Sequence, residues 1–233
     1  MFMSIKFQDQ YLLHKPLINR FKKILNKQIK NSDFIMGQNI KKFELAFAKY
    51  TNTKYSIAVS NGTDALTLAI DAIGLKAKDE VIIPAMTFIS TAIPLIHKNL
   101  NVKLCDIDYE TGLMCLSDLK KKISSKTKCI IPVNFNGNYI LNENLKKILP
   151  NKIKIIFDSS QSHGSLDCIK CKNFKKKLCC GLGPKTSSDA LISFYSLYPG
   201  KNLGALGDAG IITTNNKKIF NKICSLRNIG SIK

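Results

Sequence analysis

Short apolar segments alternate with amphipathic ones along most of the chain. Seven of the apolar segments have the length and composition of buried strands; they are Tyr55–Val59, Val81–Pro84, Val102–Asp106, Cys129–Val133, Lys154–Phe157, Ala190–Tyr195 and Gly210–Thr213. Five further segments repeat apolar residues at helical spacing, which predicts helices at Thr63–Ile73, Ile89–His97, Leu116–Ile123, Glu143–Leu149 and Lys217–Leu226. Such an alternation predicts an α/β fold with a mostly parallel central sheet flanked by helices.

Two segments fall outside this alternation. Residues from Tyr11 to Ala48 are predicted to be helical with a break near Gly37, and to form an arm that packs on a partner. Residues from Asp167 to Thr186 are rich in lysine and cysteine and end near two glycines and a proline. That composition predicts a surface loop.

The formal net charge of +20 would ordinarily indicate a nucleic-acid or anionic-membrane partner. Arg20 and Arg227 are the only arginines among the 36 basic residues, and the lysines are spread from Lys6 to Lys233. A nucleic-acid-binding surface normally uses arginine for bidentate contacts and gathers its charge on one face. We therefore interpret the charge as a general solvated surface and a nucleic-acid partner as disfavoured, with a lysine-driven polyanion binder as an alternative.

No apolar run reaches the ~18 residues that a membrane-spanning helix needs, and the first 30 residues lack the apolar block of a signal peptide. The resulting expectation is a cytoplasmic protein without a membrane partner. In that compartment the eight cysteines are expected to be free thiols. Cys168, Cys171, Cys179 and Cys180, with His163 upstream, lack the regular paired spacing of a zinc site, so no metal site is predicted.

Lys201 lies on a Pro-Gly turn within the segment Ser196–Gly204, and glycines follow it as far as Gly210. A lysine that must form a Schiff base is held on a rigid turn, partly removed from water and close to a phosphate site. One lysine in a lysine-rich chain is weak evidence. Other segments must therefore fit the same chemistry.

The segment Ser60–Leu66 joins the end of a predicted strand to the start of a predicted helix. Gly62 permits close approach of the backbone, and Thr63 opens the helix, so that free N–H groups could bind an anion. An ordinary helix cap formed by Asn61 or Thr63 is the alternative interpretation.

Asp158 follows the strand Lys154–Phe157, at the edge where α/β sheets place their ligands. A carboxylate buried there needs a cationic partner, and a protonated pyridine nitrogen would serve. A carboxylate that caps the following turn is the alternative. His163, five residues later, is interpreted as a structural histidine with no catalytic role.

Phe88 follows the strand Val81–Pro84 and would bring an aromatic ring to the same edge. It could stack on a flat heterocycle. Packing in the core is the commoner fate of a single phenylalanine and is the alternative.

Together these segments resemble the DegT/DnrJ family of pyridoxal-phosphate-dependent nucleotide-sugar aminotransferases, which have fold type I. The resemblance begins around Phe34–Gly37 and Phe43–Glu44 and runs to Leu226–Gly230. It implies an N-terminal arm and helix in residues 1–33 and a pyridoxal-phosphate-binding large domain in residues 34–233. It also implies a homodimer and a place in nucleotide-sugar biosynthesis, such as that for cell-surface polysaccharides.

The resemblance assigns roles to the residues around the cofactor ring. Lys201 would form the Schiff base with pyridoxal phosphate and carry the proton, and Asp158 would pair with the pyridinium nitrogen. Gln161 would contact the ring hydroxyl, and Phe88 would stack on the ring.

The phosphate would be held by Gly62, Thr63 and Ser196. The implied reaction moves an amino group from an amino acid, by resemblance glutamate, to a keto nucleotide-sugar. The segment Tyr198–Ala205 is most similar to members that aminate a 3-keto deoxysugar. Relatives that dehydrate sugars replace the lysine, so the presence of Lys201 favours transamination.

The chain also departs from the family pattern. Members continue beyond Leu226–Gly230 into a C-terminal small domain of more than about a hundred residues, which is expected to be absent here. Ile229 stands where members usually carry histidine, and the segment from Asp167 to Thr186 is longer than usual. Two hypotheses follow: a truncated enzyme that retains its catalytic residues, or an inactive remnant that folds or dimerises without turnover.

Overall fold

The computed structural model describes residues 6–165 and 189–231. The chain forms two compact units, Met1–Phe43 and Glu44–Lys233. In the first unit, helix α1 (Gln10–His14), a 3-10 turn and helix α2 (Ile18–Lys30) follow one another. Helix α3 (Gln38–Thr51) begins in this unit, and the chain leaves helical structure between Lys30 and Gln38. The helical segment and its break near Gly37 are therefore confirmed.

The described residues of the second unit contain a sheet of seven strands: β1 (Tyr55–Val59), β2 (Glu80–Pro84), β3 (Asn101–Cys105), β4 (Thr127–Ile130), β5 (Lys154–Asp158), β6 (Ile192–Ser196) and β7 (Gly210–Thr214). Their order in the sheet is β1-β7-β6-β5-β4-β2-β3. Strand β7 is antiparallel to both of its neighbours, and every other pair is parallel. The predicted α/β fold with a mostly parallel sheet is confirmed.

In the part of the chain that the structure describes, five helices connect these strands or follow them: α4 (Gly62–Ile73), α5 (Ile93–His97), α6 (Leu116–Lys122), α7 (Asn142–Ile148) and α8 (Lys217–Arg227). The predicted helix over Ile89–His97 is divided into a 3-10 turn at Ile89–Thr91 and the short helix α5. Strand β4 ends at Ile130 rather than at the predicted Val133. Pro132 explains this difference, because it has no N–H to give to a strand ladder.

The core lies on both faces of the sheet. One cluster joins Val81 and Ile83 of β2 to α4, α5 and α8, while Ile82 belongs to a second cluster with residues of α6 and α7. Neighbouring residues of a strand point to opposite faces, so both faces of β2 are covered. Of the helices in the described ranges, none is both long enough and apolar enough to cross a membrane.

Candidate active site

The sequence-predicted site residues meet at one edge of the sheet. Asp158 is the last residue of β5, Ser196 is the last residue of β6, and Gly62 follows the end of β1. Because these three strands run in the same direction, their carboxyl ends share an edge. The antiparallel β7 begins at this edge with Gly210.

Asp158 is a buried carboxyl group with no ion-pair partner in hydrogen-bond contact among the described residues. Its side chain accepts hydrogen bonds from the Thr91 hydroxyl (3.1 Å) and from the Ser160 backbone N–H (3.0 Å). Burial raises the pKa of Asp158, while the bonds from Ser160 and Thr91 and the charge of Lys201 lower it to a lesser extent. The hydrogen bond from the Ser160 N–H is the turn cap that the sequence also allowed for Asp158. The positive charge of Lys201 acts on Asp158 only from a distance.

Lys201 lies on a tight turn beyond β6. Its backbone N–H donates to the carbonyl of Tyr198 (2.8 Å), and the N–H of Ala205 returns to the carbonyl of Leu197 (2.8 Å). A Cβ atom at Gly204 would lie 2.4 Å from the oxygen of Pro199, so the turn closes only around glycine. The turn therefore holds the lysine backbone firmly, with the side chain partly buried.

The turn between β1 and α4 combines a helix cap with close backbone packing. Asn61 caps α4, since its side-chain oxygen accepts the N–H of Asp64 (2.7 Å). A Cβ atom at Gly62 would lie 2.9 Å from Cβ of Ser196, and one at Gly210 would lie 2.4 Å from the carbonyl oxygen of Asn61. The helix cap that the sequence allowed as an alternative is therefore present. The same turn, which includes Thr63, also packs against Ser196.

Gln161 and Phe88 have contrasting environments. The side-chain oxygen of Gln161 accepts the N–H of Asn136 (3.0 Å), and its carbonyl accepts the N–H of Gly137 (3.0 Å). These two bonds fix the position of the amide at the end of β5. Phe88 is 74% exposed, so the alternative that it packs in the core is wrong.

His163 is buried beside this site. Its ring lies against that of Tyr195, with 5.4 Å between the centroids, and neither ring nitrogen makes a hydrogen bond in the described chain. Burial lowers the pKa of His163 to about 4; a contact with the Ser196 backbone opposes that shift, and the charge of Lys201 adds to it. The imidazole is therefore neutral at physiological pH, next to the residues that surround Lys201.

Two site residues were not assigned roles from sequence. Thr91 joins the turn after β2 to Asp158, and its hydroxyl also shares a 2.7 Å hydrogen bond with that of Thr87. The Ser160 hydroxyl accepts the N–H of Ser196 (3.0 Å) and so ties the end of β5 to the end of β6. The hydroxyls at Thr87, Thr91 and Ser160 were visible in the sequence, but their partners depend on the order of the strands.

Within residues 6–165 and 189–231, no cluster of three or more histidine, cysteine or acidic side chains could hold a metal ion. Cys168, Cys171, Cys179 and Cys180, and the predicted loop that contains them, lie outside the described residues. Cys105 and Cys129 are buried free thiols, and Cys115 and Cys224 are partly buried free thiols.

Comparison with known proteins decides the family. The model of the DegT/DnrJ/EryC1/StrS aminotransferase family matches residues 16–233. The chain belongs to this family. The resemblance inferred from the sequence motifs is therefore confirmed.

Two curated relatives illustrate the relationship within the family. The chain is 32% identical over 228 residues to a "Pleiotropic regulatory protein" of Geobacillus stearothermophilus, covering 97% of the chain and 57% of the relative. It is 33% identical to a dTDP-3-amino-3,6-dideoxy-alpha-D-galactopyranose transaminase of Aneurinibacillus thermoaerophilus, covering 98% of the chain and 60% of that protein. The chain thus spans little more than half the length of these relatives.

Among solved structures, the chain resembles NtdA of Bacillus subtilis, which was crystallised with its bound cofactor PMP. The two share 26% sequence identity with a TM-score of 0.81, over 97% of this chain and 48% of NtdA. This likeness confirms the fold as that of the family's pyridoxal-phosphate-dependent members.

Proposed function

We propose that the chain is the cofactor-binding part of a pyridoxal-phosphate-dependent aminotransferase that moves an amino group from an amino acid to a keto nucleotide-sugar. Glutamate is the proposed donor, and a homodimer is the proposed assembly. The proposal also takes residues 34–233 as the cofactor-binding large domain and residues 1–33 as an arm. Family membership and the transaminase from Aneurinibacillus thermoaerophilus support the reaction class.

The observation that carries the proposal is the buried Asp158, on which the charge of Lys201 acts from a distance. Burial raises the pKa of this carboxyl group because the hydrogen bonds and the distant charge do not replace its lost hydration. A protonated ring nitrogen in contact with Asp158 would return the carboxyl group to its charged form. The site therefore fits a flat cationic heterocycle such as the pyridine ring of the cofactor.

The remaining residues fit the other parts of the same molecule. The backbone around Gly62 and Thr63 opens helix α4 beside Ser196, and this end of a helix favours an anion such as the cofactor phosphate. The exposed ring of Phe88 is available to stack on a heterocycle. The fixed amide of Gln161 would meet the ring hydroxyl.

When bound to Lys201 through a Schiff base, pyridoxal phosphate supplies an electron sink for carbanion chemistry at the amino-acid carbon. Asp158 would keep the ring nitrogen protonated, which that chemistry requires. Lys201, once its amine is released by the donor, would take a proton from one carbon as a general base and return it to another as a general acid. The donor would leave as a keto acid and the sugar ketone would receive the amino group, so we expect ping-pong kinetics.

The test is selective attachment of the cofactor to Lys201. Pyridoxal phosphate also reacts with exposed lysines, and this chain is rich in them. The purified chain is titrated with the cofactor, reduced with borohydride and digested, and the modified lysine is located by mass spectrometry. Lys201→Ala is compared with Lys152→Ala, which removes an exposed lysine from the turn before β5.

We expect saturable attachment at Lys201 in the wild type and in Lys152→Ala, and its loss in Lys201→Ala. Adding glutamate before the reduction should deplete the trapped fraction, because the donor releases the lysine. Equal, unsaturable modification of many lysines would refute cofactor binding and favour the inactive-remnant hypothesis. Salt-sensitive binding to nucleic acid without a specific cofactor site would favour the polyanion binder.

A further inference from the structure

Glu44 and Arg227 hold the two backbone groups of one residue of strand β1 from the outer edge of the sheet. The Glu44 carboxylate accepts the N–H of Ala58 (2.9 Å), and the Arg227 guanidinium donates to the carbonyl of Ala58 (2.9 Å). The same guanidinium nitrogen donates to the Glu44 carboxylate, and each of the two side chains is only 17% exposed. Glu44 of α3 and Arg227 of α8 therefore form an ion pair that is hydrogen-bonded to both the N–H and the carbonyl of Ala58.

Ala58 lies in the strand at the edge of the sheet. Strand β1 lies at the end of the sheet and, among the strands in the described ranges, pairs with β7 alone. Its outer edge presents backbone groups that a neighbouring strand would otherwise satisfy. At Ala58 the two side chains take the place of that strand, so this part of β1 is held on both sides.

The residues just beyond Ala58 have little room to move. Val59 pairs with Gly210 of β7, and the next turn places the Asn61 carbonyl against Gly210 and Gly62 against Ser196. A displacement of the end of β1 would therefore shift the Asn61–Thr63 backbone relative to Ser196. This backbone and Ser196 are the groups that the proposed function assigns to the cofactor phosphate.

The composition of the chain also sets Arg227 apart from most of its other basic residues. Arg20 and Arg227 are the only arginines in a chain with 36 basic residues, so a cation at any given position is almost always lysine. Arg20 is exposed, whereas Arg227 is largely buried in the ion pair. Lysine ends one bond closer to its Cα and carries a more strongly hydrated charge, so it is a poor substitute at a buried site with two acceptors.

We propose that Glu44 and Arg227 are positioning residues for the anion-holding turn Asn61–Thr63. They act through Ala58 and the end of β1, and they do not touch the cofactor. The inference rests on the proposed function for the identity of the anion, the phosphate of pyridoxal phosphate. The placement of the turn itself depends only on the contacts of Ala58.

The experiment compares Arg227→Lys with Arg20→Lys, a matched replacement at an exposed site. For each variant, affinity is measured for pyridoxal phosphate and for pyridoxal, which lacks the phosphate. We expect Arg227→Lys to weaken binding of pyridoxal phosphate roughly tenfold, the effect of one lost charge-assisted hydrogen bond, and to change binding of pyridoxal less than about twofold. Arg20→Lys should leave both affinities unchanged.

Amide hydrogen exchange of the chain without cofactor gives a second measurement. We expect Arg227→Lys to accelerate exchange at Ala58 and at the amides of Asp64 and Ala65, which are hydrogen-bonded to Asn61, while the first turn of α8 stays unchanged. Glu44→Gln is a milder variant that keeps an acceptor for Ala58 but loses the charge, and it should shift the same amides in the same direction. If Arg227→Lys does not fold, Glu44→Gln decides the question.

The outcomes separate the two proposals. Equal loss of affinity for both ligands, or exchange that rises throughout the chain, would show a general structural role and overturn the inference. Unchanged affinity for pyridoxal phosphate together with unchanged exchange would also overturn it. If the wild type binds neither ligand, the proposed function fails, and local exchange at the turn still decides whether Glu44 and Arg227 position it.

Discussion

Where β1 and β6 end and β7 begins, the chain packs so closely that a methyl group would not fit at Gly62 or Gly210. This packed half of the edge also contains Asp158 and Ser196, the last residues of β5 and β6. At the end of β2 the chain turns outward, and this open half contains Met86, Phe88 and Ile89, all exposed. In the packed half, positions are set before any ligand arrives. In the open half, side chains are available for contact and are not held by the core.

This difference implies a division of labour in binding. Preorganised groups bind a ligand without losing further conformational freedom, whereas exposed side chains must be ordered when the ligand binds. We therefore expect the packed half to supply most of the selectivity for a phosphate and a cationic ring. The open half should add contact area and little else.

The largest effect should come from filling the packed half. In Gly210→Ala the new Cβ would lie 2.4 Å from the carbonyl oxygen of Asn61, and backbone cannot give way as a flexible side chain can. We expect a loss of about 2–3 kcal/mol in the free energy of unfolding, typical of overpacking, measured by urea denaturation. Gly207→Ala is the control, because no atom of the described residues lies within 4 Å of the Cβ that it would add. Equal stability of the two variants would contradict the proposed tightness of the packed half.

Asp158→Asn tests the buried charge of the packed half. In the chain without cofactor the raised pKa means that folded Asp158 keeps its proton to a higher pH than the unfolded chain does. This contribution to stability is therefore present at low pH and is lost as the pH rises through the raised pKa. The variant should not show that loss, and its affinity for pyridoxal phosphate should fall roughly 10- to 100-fold, as when a charged hydrogen bond is removed.

The control for Asp158→Asn is Asp208→Asn, which alters an exposed carboxylate in the segment after Lys201. It should leave the cofactor affinity unchanged. A pH profile of Asp158→Asn that matches the wild type would show that Asp158 is ionised in the folded chain without any ligand.

The sequence was sufficient to predict where most of these residues lie along the fold. Strand periods located Asp158 at the end of β5 and Gly62 after β1, because both conclusions depend on local patterns alone. Two close contacts depend on the strand order β1-β7-β6-β5. They are the contact of Gly62 with Ser196 and that of Gly210 with the Asn61 carbonyl. That order joins segments far apart in sequence, and no local pattern specifies it.

Exposure was equally beyond the reach of local patterns. Phe88 has the composition of a core residue, yet it lies beyond the end of β2, where no element of the described chain covers it to any large extent. His163 carries no sequence signal that distinguishes a hydrogen-bonded core histidine from one whose ring nitrogens make no hydrogen bond within the described residues. Such features follow from packing in three dimensions.

A smaller effect is expected at His163, which lies beside the packed half. Its folded pKa of about 4 is below the ordinary 6.5, so the unfolded chain binds the proton more readily between these values. Stability should therefore fall as the pH drops below 6.5, by about 2 kcal/mol at pH 5. His163→Phe keeps a ring against Tyr195 and removes the titration, so this part of the acid destabilisation should disappear. If the stability of His163→Phe fell at low pH as much as that of the wild type, a residue other than His163 would be the group that titrates.

The smallest effect on folding should come from the open half, where Phe88→Ala removes a ring that is 74% exposed. Such a surface change should alter the free energy of unfolding by less than about 0.5 kcal/mol. If the ring stacks on the cofactor, affinity for pyridoxal phosphate should fall about threefold to tenfold, the range given by an aromatic contact, and Phe88→Tyr should restore it. Ile89→Ala, which removes another exposed apolar side chain of the open half, should leave the affinity unchanged. A loss of stability in Phe88→Ala without a loss of affinity would mean that the ring supports the turn after β2. The packed half and the open half would then differ only in how firmly their residues are held.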